Sequence, residues 1–102
     1  MKTTTAEVVK ERIDAGESLN LVDVREADER AAFNIGGTHL PLGQILGMQV
    51  DDIDNLRDEE VIVYCRSGNR SGQACMFLET MGFKNVVNLA GGMMDFEAKF
   101  PG

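Results

Sequence analysis

The chain has 102 residues, of which 43% are hydrophobic, and its formal net charge is −7. This length suits one domain over residues 1–102, and this apolar share excludes a disordered chain. The negative charge disfavours nucleic acid and anionic membrane surfaces as partners. No run approaches the ~18 apolar residues of a membrane span and no apolar leader follows Met1, so we expect a protein of the reducing cytoplasm.

Strands and helices are predicted to alternate along the chain. The predicted elements are a strand or helix cap at 3–5, a helix at 6–15, a strand at 19–24, a helix at 26–33, a short strand at 38–42, one or two short helices within 43–56, a strand at 61–64, a helix at 71–81, a strand at 86–89 and a helix at 93–100. The nearly continuous apolar run at 19–24 is typical of a strand buried on both faces. Pro41 predicts an edge position for the short strand. This order indicates a three-layer α/β/α fold with a parallel sheet.

The stretch Val61–Ser71 carries the chemistry. A β-branched strand ends at Cys65, and small, polar and cationic residues then lead into a helix. Backbone N–H groups of such a loop and of the helix's first turn can converge on one anion. Helix N-termini and nearby cations lower a cysteine pKa from about 8.5 to roughly 3.5–7.5. With Arg66 and Arg70 acting in the same direction, Cys65 is predicted to be a nucleophile at neutral pH.

The sequence Cys-Arg-Ser-Gly-Asn-Arg-Ser resembles the active-site loop of the rhodanese family of sulfurtransferases. Further motifs of that family follow in its order: Leu21–Glu26, Gly82–Val86 and Leu89–Met93. The resemblance runs from about Thr4 to Phe100. It implies a central five-stranded parallel sheet with the Cys65 strand in the middle.

Loop length separates two chemistries. Cys65 to Arg70 is a Cys-x4-Arg loop of six residues, whereas phosphatases that share this fold type use Cys-x5-Arg. The resemblance therefore implies a thiosulfate-type sulfurtransferase. Its cysteine takes the sulfane sulfur from a small anionic donor such as thiosulfate, then passes it as a persulfide to a thiophilic acceptor such as a protein thiol.

Two other functions stay open. One is a protein-to-protein persulfide carrier, because one accessible loop could serve donor and acceptor proteins alike. The other is a phosphatase or a regulatory module of the same fold, against which the loop length argues. No cofactor and no metal is expected for any of them, since the two cysteines show no metal-ligand spacing.

The loop residues have separate expected roles in binding the substrate. Arg66, at the rim, is the better candidate for binding sulfonate oxygens, whereas Arg70 can instead pair with a carboxylate such as Asp23. Gly68 and Asn69 are expected to adopt backbone angles that other residues resist.

Four further side chains complete the expected site. Ser67 and Ser71 can donate hydrogen bonds to the persulfide or cap the helix, and capping is expected of Ser71. Asp23 and Arg25 match the family's Asp-Val-Arg, and Arg25 is expected to be a structural ion-pair partner.

Cys75 is expected to have no part in the chemistry. The predicted apolar face of its helix comprises Ala74, Phe77, Leu78 and Met81. Cys75 lies one position off this face, where it is expected to pack against a neighbour rather than act as a redox partner.

Overall fold

The structure, a computed structural model, describes residues 1–101. Its strands are β1 (Lys2–Thr4), β2 (Leu21–Asp23), β3 (Thr38–His39), β4 (Glu60–Tyr64) and β5 (Asn85–Leu89). Its α-helices are α1 (Ala6–Asp14), α2 (Ala27–Ala32), α3 (Leu42–Leu46), α4 (Asn69–Thr80) and α5 (Gly92–Lys99), and Asp51–Leu56 forms a 3₁₀ helix. The predicted alternation of strands and helices is confirmed.

All five strands belong to one parallel sheet in the order β1-β5-β4-β2-β3. The Cys65 strand, β4, is therefore central, as the family resemblance implied. The short strand β3 lies at the edge, which suits the Pro41 that follows it because proline cannot donate to a ladder. Parallel strands end at the same edge of a sheet, so Asp23 and Cys65 come to one edge.

Alternate residues of β4 face two separate cores. Val61 and Val63, together with Cys65 just after the strand, belong to the core that contains residues of α3, α4 and the 3₁₀ helix. Ile62 and Tyr64 belong to the core that contains residues of α1 and α5. Helices therefore cover both faces of the sheet and give the predicted three layers.

Helix α4 differs from its prediction in where it begins. Gly68 has φ +104 and is the residue before the helix, which then starts at Asn69. Ser71 thus lies inside the first turn, so the prediction that it caps the helix is wrong. Asn69 is helical, so the unusual backbone angle expected of it is also wrong, whereas the unusual angle expected of Gly68 is confirmed.

The buried face of α4 also differs from the prediction. Ser71, Ala74, Cys75 and Leu78 are buried, whereas Phe77 is 44% exposed. These buried positions follow the i, i+3, i+4, i+7 spacing of one helical stripe. Cys75 therefore lies on the packed face, not beside it.

No helix within residues 1–101 combines the length and the apolar character that crossing a membrane requires.

Candidate active site

Cys65 lies immediately after β4, at the base of the loop. The N–H of Gly68 donates a hydrogen bond to its sulfur at 3.0 Å, and the hydroxyl oxygen of Ser71 lies 3.4 Å from the same atom. The residue is 1% exposed. The sulfur therefore lies where the loop and the first turn of α4 converge.

This arrangement favours the thiolate. Burial acts to raise the pKa of the Cys65 thiol, but the backbone N–H groups of Ser71, Gly68 and Ser67 donate to the sulfur and hold that pKa below its ordinary value. Such donors stabilise a charged sulfur more than a neutral one, because hydrogen bonds to ionised groups are the stronger kind. Backbone groups supply most of these donors, and their direction is set by the fold.

The first turn of α5 holds the outer side of the loop. The N–H of Met93 donates to the carbonyl of Cys65 at 2.8 Å, and the N–H of Met94 donates to the carbonyl of Arg66 at 2.9 Å. A trans peptide points its N–H away from its C=O, so fixing these carbonyls also fixes the N–H group that follows each one. Gly92 permits the approach: at φ +52, an added Cβ would lie 2.5 Å from the Cys65 oxygen.

Arg70 pairs with Glu29 of α2, so the expectation that Asp23 is its partner is wrong. The two terminal nitrogens of Arg70 each lie 2.7 Å from one carboxylate oxygen of Glu29. These hydrogen bonds are the main reason that the pKa of Glu29 falls from its ordinary 4.5 to about 2. Asp23 accepts instead from Arg25 and Arg30.

Asp23 instead forms the buried ion pair expected of Arg25. One Asp23 oxygen accepts the Nε–H of Arg25 at 2.9 Å, and the other accepts from Arg25 at 2.9 Å and from Arg30 at 3.2 Å. Burial acts to raise the pKa of Asp23, and these hydrogen bonds outweigh it and lower that pKa. Arg25 also donates to the Phe33 carbonyl at 2.7 Å, so the pair ties the end of β2 to the chain after α2.

A cavity of about 450 Å³ lies beside the loop. It is lined by Arg25, Glu29, Ala32, Phe33, Arg66, Met93, Met94, Glu97 and Ala98. A second cavity of about 400 Å³ is lined by Ser67, Gly91, Met94, Asp95 and Ala98. Met94, which is 56% exposed, is common to both cavities, so α5 forms a wall next to the rim of the loop.

A comparison with protein families identifies the family of this chain. The family model of the rhodanese-like domain matches residues 5–99. The chain belongs to the rhodanese family.

Named relatives agree with that membership. A Bacillus subtilis protein named "Putative sulfur carrier protein YrkF" is 36% identical over 94 residues, which cover 91% of this chain and 49% of that protein. The Bacillus subtilis protein named "Putative sulfurtransferase YtwF" is 39% identical over 100 residues, covering 97% of this chain and 93% of that protein. The chain thus spans about half of one relative and nearly all of the other.

A solved structure shows the same fold. The crystal structure of a rhodanese-like domain protein from Staphylococcus aureus superposes with a TM-score of 0.82 at 26% identity, covering 94% of this chain and 91% of that one. The five-stranded sheet and its helices are therefore those of the rhodanese fold.

One residue of this candidate site was not predicted from the sequence. Asn88 of β5 makes hydrogen bonds to Ser71 and Gly68, two of the three residues that donate to the Cys65 sulfur. Its signal was a polar residue inside the otherwise apolar stretch Val86–Leu89.

The Cys75 thiol differs from the Cys65 thiol, since burial raises the pKa of Cys75 to about 12.

The structure holds little that could bind a metal. Among residues 1–101, no group of three or more His, Cys, Asp and Glu side chains is arranged to do so. The ring of His39 contacts the carbonyl of Arg25 at 2.7 Å, so its side chain is occupied by the backbone near the Asp23 ion pair.

Proposed function

We propose that the chain is a sulfurtransferase that moves a sulfane sulfur from thiosulfate, or a similar small anionic donor, to a thiophilic acceptor through a persulfide on Cys65. The observation that carries the proposal is the hydrogen bond from the Gly68 N–H to the Cys65 sulfur at 3.0 Å. It belongs to a six-residue loop that lowers the pKa of the thiol. The names of the two Bacillus subtilis relatives support the same class of chemistry.

The reaction divides into two displacements. The Cys65 thiolate attacks the outer sulfur of thiosulfate, a new S–S bond forms, the donor's own S–S bond breaks, and sulfite leaves with the electron pair. The enzyme then carries a persulfide anion. An acceptor thiolate attacks the outer sulfur of that persulfide, and Cys65 leaves as the thiolate with which the cycle began. No proton transfer is needed in either step, because the attacking group is already ionised.

The loop supplies donors for the negative charge in both steps. The N–H groups of Ser67, Gly68 and Ser71, which already lower the pKa of the Cys65 thiol, would stabilise the thiolate and the persulfide. The exposed residue Arg66 lines the larger cavity, so it would bind the sulfonate oxygens of the donor. Asn69 would help to shape the loop as the first residue of α4. Arg70 would act on the sulfur mainly through its charge, because Glu29 accepts a hydrogen bond from each of its terminal nitrogens.

Entry of the donor is the step that the rim controls. Cys65 is 1% exposed and does not line either cavity beside the loop. Arg66 and Ser67 are exposed at the rim. The proposed reaction therefore requires these two residues to admit the outer sulfur of the donor to the base of the loop.

Intact mass after exposure to thiosulfate tests the proposal. The wild-type protein should gain the mass of one sulfur, and the gain should disappear on treatment with an acceptor thiol. Cys65→Ser should gain nothing, whereas the matched variant Cys75→Ser should gain one sulfur as the wild type does. Equal gains by the wild type and Cys65→Ser would rule out Cys65 as the carrier of the sulfur.

A protein-to-protein persulfide carrier is the second candidate. The observation that favours it is the exposed Met94 between two cavities beside the loop, since methionine adapts to a partner surface. One relative is also named a sulfur carrier. This function predicts slow loading by thiosulfate and much faster loading by a protein persulfide. Comparing the two loading rates at equal donor concentration separates the candidates.

A phosphatase is the weakest candidate, because the loop from Cys65 to Arg70 holds six residues. Hydrolysis of an aryl phosphate that is lost in Cys65→Ser would reverse this ranking.

We also propose a cytoplasmic location, since Cys65 and Cys75 are both free thiols and a working thiol needs a reducing compartment.

A further inference from the structure

Asn88 joins the central sheet to the reactive loop. It lies on β5, paired in register with Val63 of β4. Its side-chain nitrogen donates to the carbonyl of Gly68 at 3.1 Å, and its side-chain oxygen accepts from the hydroxyl of Ser71 at 2.5 Å. One side chain thus contacts two of the three residues whose N–H groups donate to the sulfur.

The chemistry of these groups fixes the direction of each bond. The carbonyl of Gly68 can only accept, so the NH₂ end of Asn88 must face it and the oxygen must face Ser71. That oxygen also only accepts, so the hydroxyl must donate to it. Because a serine hydroxyl has one hydrogen, Ser71 cannot donate to Asn88 and to the Cys65 sulfur at the same time. At 2.5 Å the Ser71 and Asn88 oxygens must have a hydrogen between them, whereas 3.4 Å between an oxygen and the larger sulfur atom requires none.

We infer that Asn88 is a positioning residue that keeps the Ser71 hydroxyl from donating to Cys65, and thereby preserves the nucleophilicity of the thiolate. A thiolate that accepts one more hydrogen bond is more stable and ionises at lower pH, but it attacks more slowly. The inference rests on the proposed role of Cys65 as the nucleophile. It adds a residue from β5 that controls how the loop acts on that nucleophile.

The loop backbone does not depend on Asn88 alone. The carbonyl of Gly68 also accepts the N–H of Gly72 at 3.0 Å, within the first turn of α4. Replacing Asn88 should therefore leave Gly68 anchored and its N–H directed at the sulfur. The principal effect of the replacement should be to release the Ser71 hydroxyl.

Other titratable groups lie near the loop but have no hydrogen bond to Asn88. They are Arg70 and Cys75 on α4, Arg66 in the loop, Glu29 on α2, Asp23 at the end of β2, Arg25 after it, and Asp95 on α5. From α3 and the chain before it, the neutral Ile45 and Leu40 pack in the core that contains Cys65. The two hydrogen bonds of Asn88 go to Ser71 and Gly68, so its influence on the sulfur passes through them.

The pH dependence of Cys65 alkylation by iodoacetamide measures this influence, with the modified cysteine identified by peptide mass. For Asn88→Leu, the midpoint should fall by roughly one pH unit, the scale of one hydrogen bond to a charged group. The limiting rate at high pH should fall roughly threefold, as expected for a thiolate of lower pKa. Asn85→Leu is the matched control: it changes the same residue type on the same strand, at a position paired with Glu60, and should leave both values unchanged.

A second background separates action through Ser71 from a general disturbance. In Ser71→Ala, there is no hydroxyl to release, so adding Asn88→Leu should change neither the midpoint nor the limiting rate. The inference is overturned if Asn88→Leu leaves both values at wild type, or if its effect persists in Ser71→Ala. If Asn88→Leu fails to fold, Asn88→Ala provides the same test. Alkylation needs no sulfur donor, so this result is independent of whether thiosulfate loads Cys65.

Discussion

The guanidinium of Arg70 is bound at both terminal nitrogens by the carboxylate of Glu29, with each nitrogen 2.7 Å from one oxygen. This arginine belongs to the reactive loop motif, yet its forked donors face α2 rather than an incoming anion. Arg66 is thus the loop arginine that remains exposed at the cavity. The Glu29 carboxylate thus binds the Arg70 groups to which a small anionic donor could otherwise bind.

Glu29→Gln should therefore improve the binding of thiosulfate. The substitution removes the negative partner and leaves the Arg70 donors available to the sulfonate oxygens. We expect the KM for thiosulfate to fall roughly threefold to tenfold, the scale of one added charge-assisted contact. Steady-state sulfur transfer at varied thiosulfate concentration measures this change.

Glu97→Gln is the matched control for this prediction. Glu97 lines the same cavity, and the variant removes the same charge without releasing Arg70. Its effect on KM should be smaller than that of Glu29→Gln. Equal effects of the two variants would mean that cavity charge, not the release of Arg70, controls the binding of the donor.

The same ion pair makes the stability of the fold depend on pH. The pKa of Glu29 is about 2 in the folded chain against an ordinary 4.5, so between these values the unfolded chain binds more protons. Stability then rises with pH across this window and is lost as pH falls through it. The free energy of unfolding in urea should fall less steeply from pH 4.5 to pH 2 in Glu29→Gln than in the wild type. If the free energies of unfolding of the two proteins fell in parallel with pH, the ion pair would not be the source of the low Glu29 pKa.

Gly92→Ala should disrupt the contact between α5 and the loop. Its Cβ would lie 2.5 Å from the Cys65 oxygen and 2.6 Å from the Arg66 carbonyl, at φ +52. We expect a loss of about 3 kcal/mol in unfolding free energy and slower alkylation of Cys65 at neutral pH.

Gly16→Ala is the control for Gly92→Ala, because Gly16 also has a positive φ of +83 but no atom within 4 Å of the added Cβ. It should cost only about 1 kcal/mol, the cost of the backbone angle alone. Urea unfolding of both variants separates steric overlap from backbone strain. Equal losses of unfolding free energy in the two variants would show that steric overlap between α5 and the loop is not the cause.

The two cysteines should differ in reactivity although both are buried. Cys65 is 1% exposed and Cys75 is 0% exposed, so burial alone predicts two inert thiols. The pKa of Cys65 is lowered by its hydrogen bonds, whereas burial raises that of Cys75 to about 12. Iodoacetamide at neutral pH should therefore add one group to the native protein, at Cys65.

Intact mass and peptide mapping check this prediction. Cys65→Ser should gain no group while folded, and both cysteines of the wild type should react in concentrated urea. A native adduct on Cys75 would show that the pKa difference does not control reactivity.

The elements were predictable because their signals are local. The β-branched run before Cys65 predicted a strand, and Pro41 predicted the edge strand. The contacts of the site were less predictable, because they depend on how distant elements meet. Glu29 and Asp23 are both near the loop in the fold, and only the geometry shows that Arg25 and Arg30 already surround Asp23.

The expected capping role of Ser71 and the unusual backbone angle expected of Asn69 are wrong for the same reason. The predicted helix begins at Ser71, but the left-handed Gly68 lets the observed helix begin at Asn69. The earlier start moves Ser71 from a cap to the buried face. Asn88 was missed for a different reason, because only the order of the sheet brings β5 beside β4.

The hydrogen bonds from the first turn of α5 to the Cys65 and Arg66 carbonyls couple the C-terminal helix mechanically to the reactive sulfur. Tilting this helix would rotate two peptide planes of the loop and change how many amide hydrogens face the charge. A molecule that binds the outer surface of α5 and shifts this helix would therefore change the environment of the sulfur without entering the site.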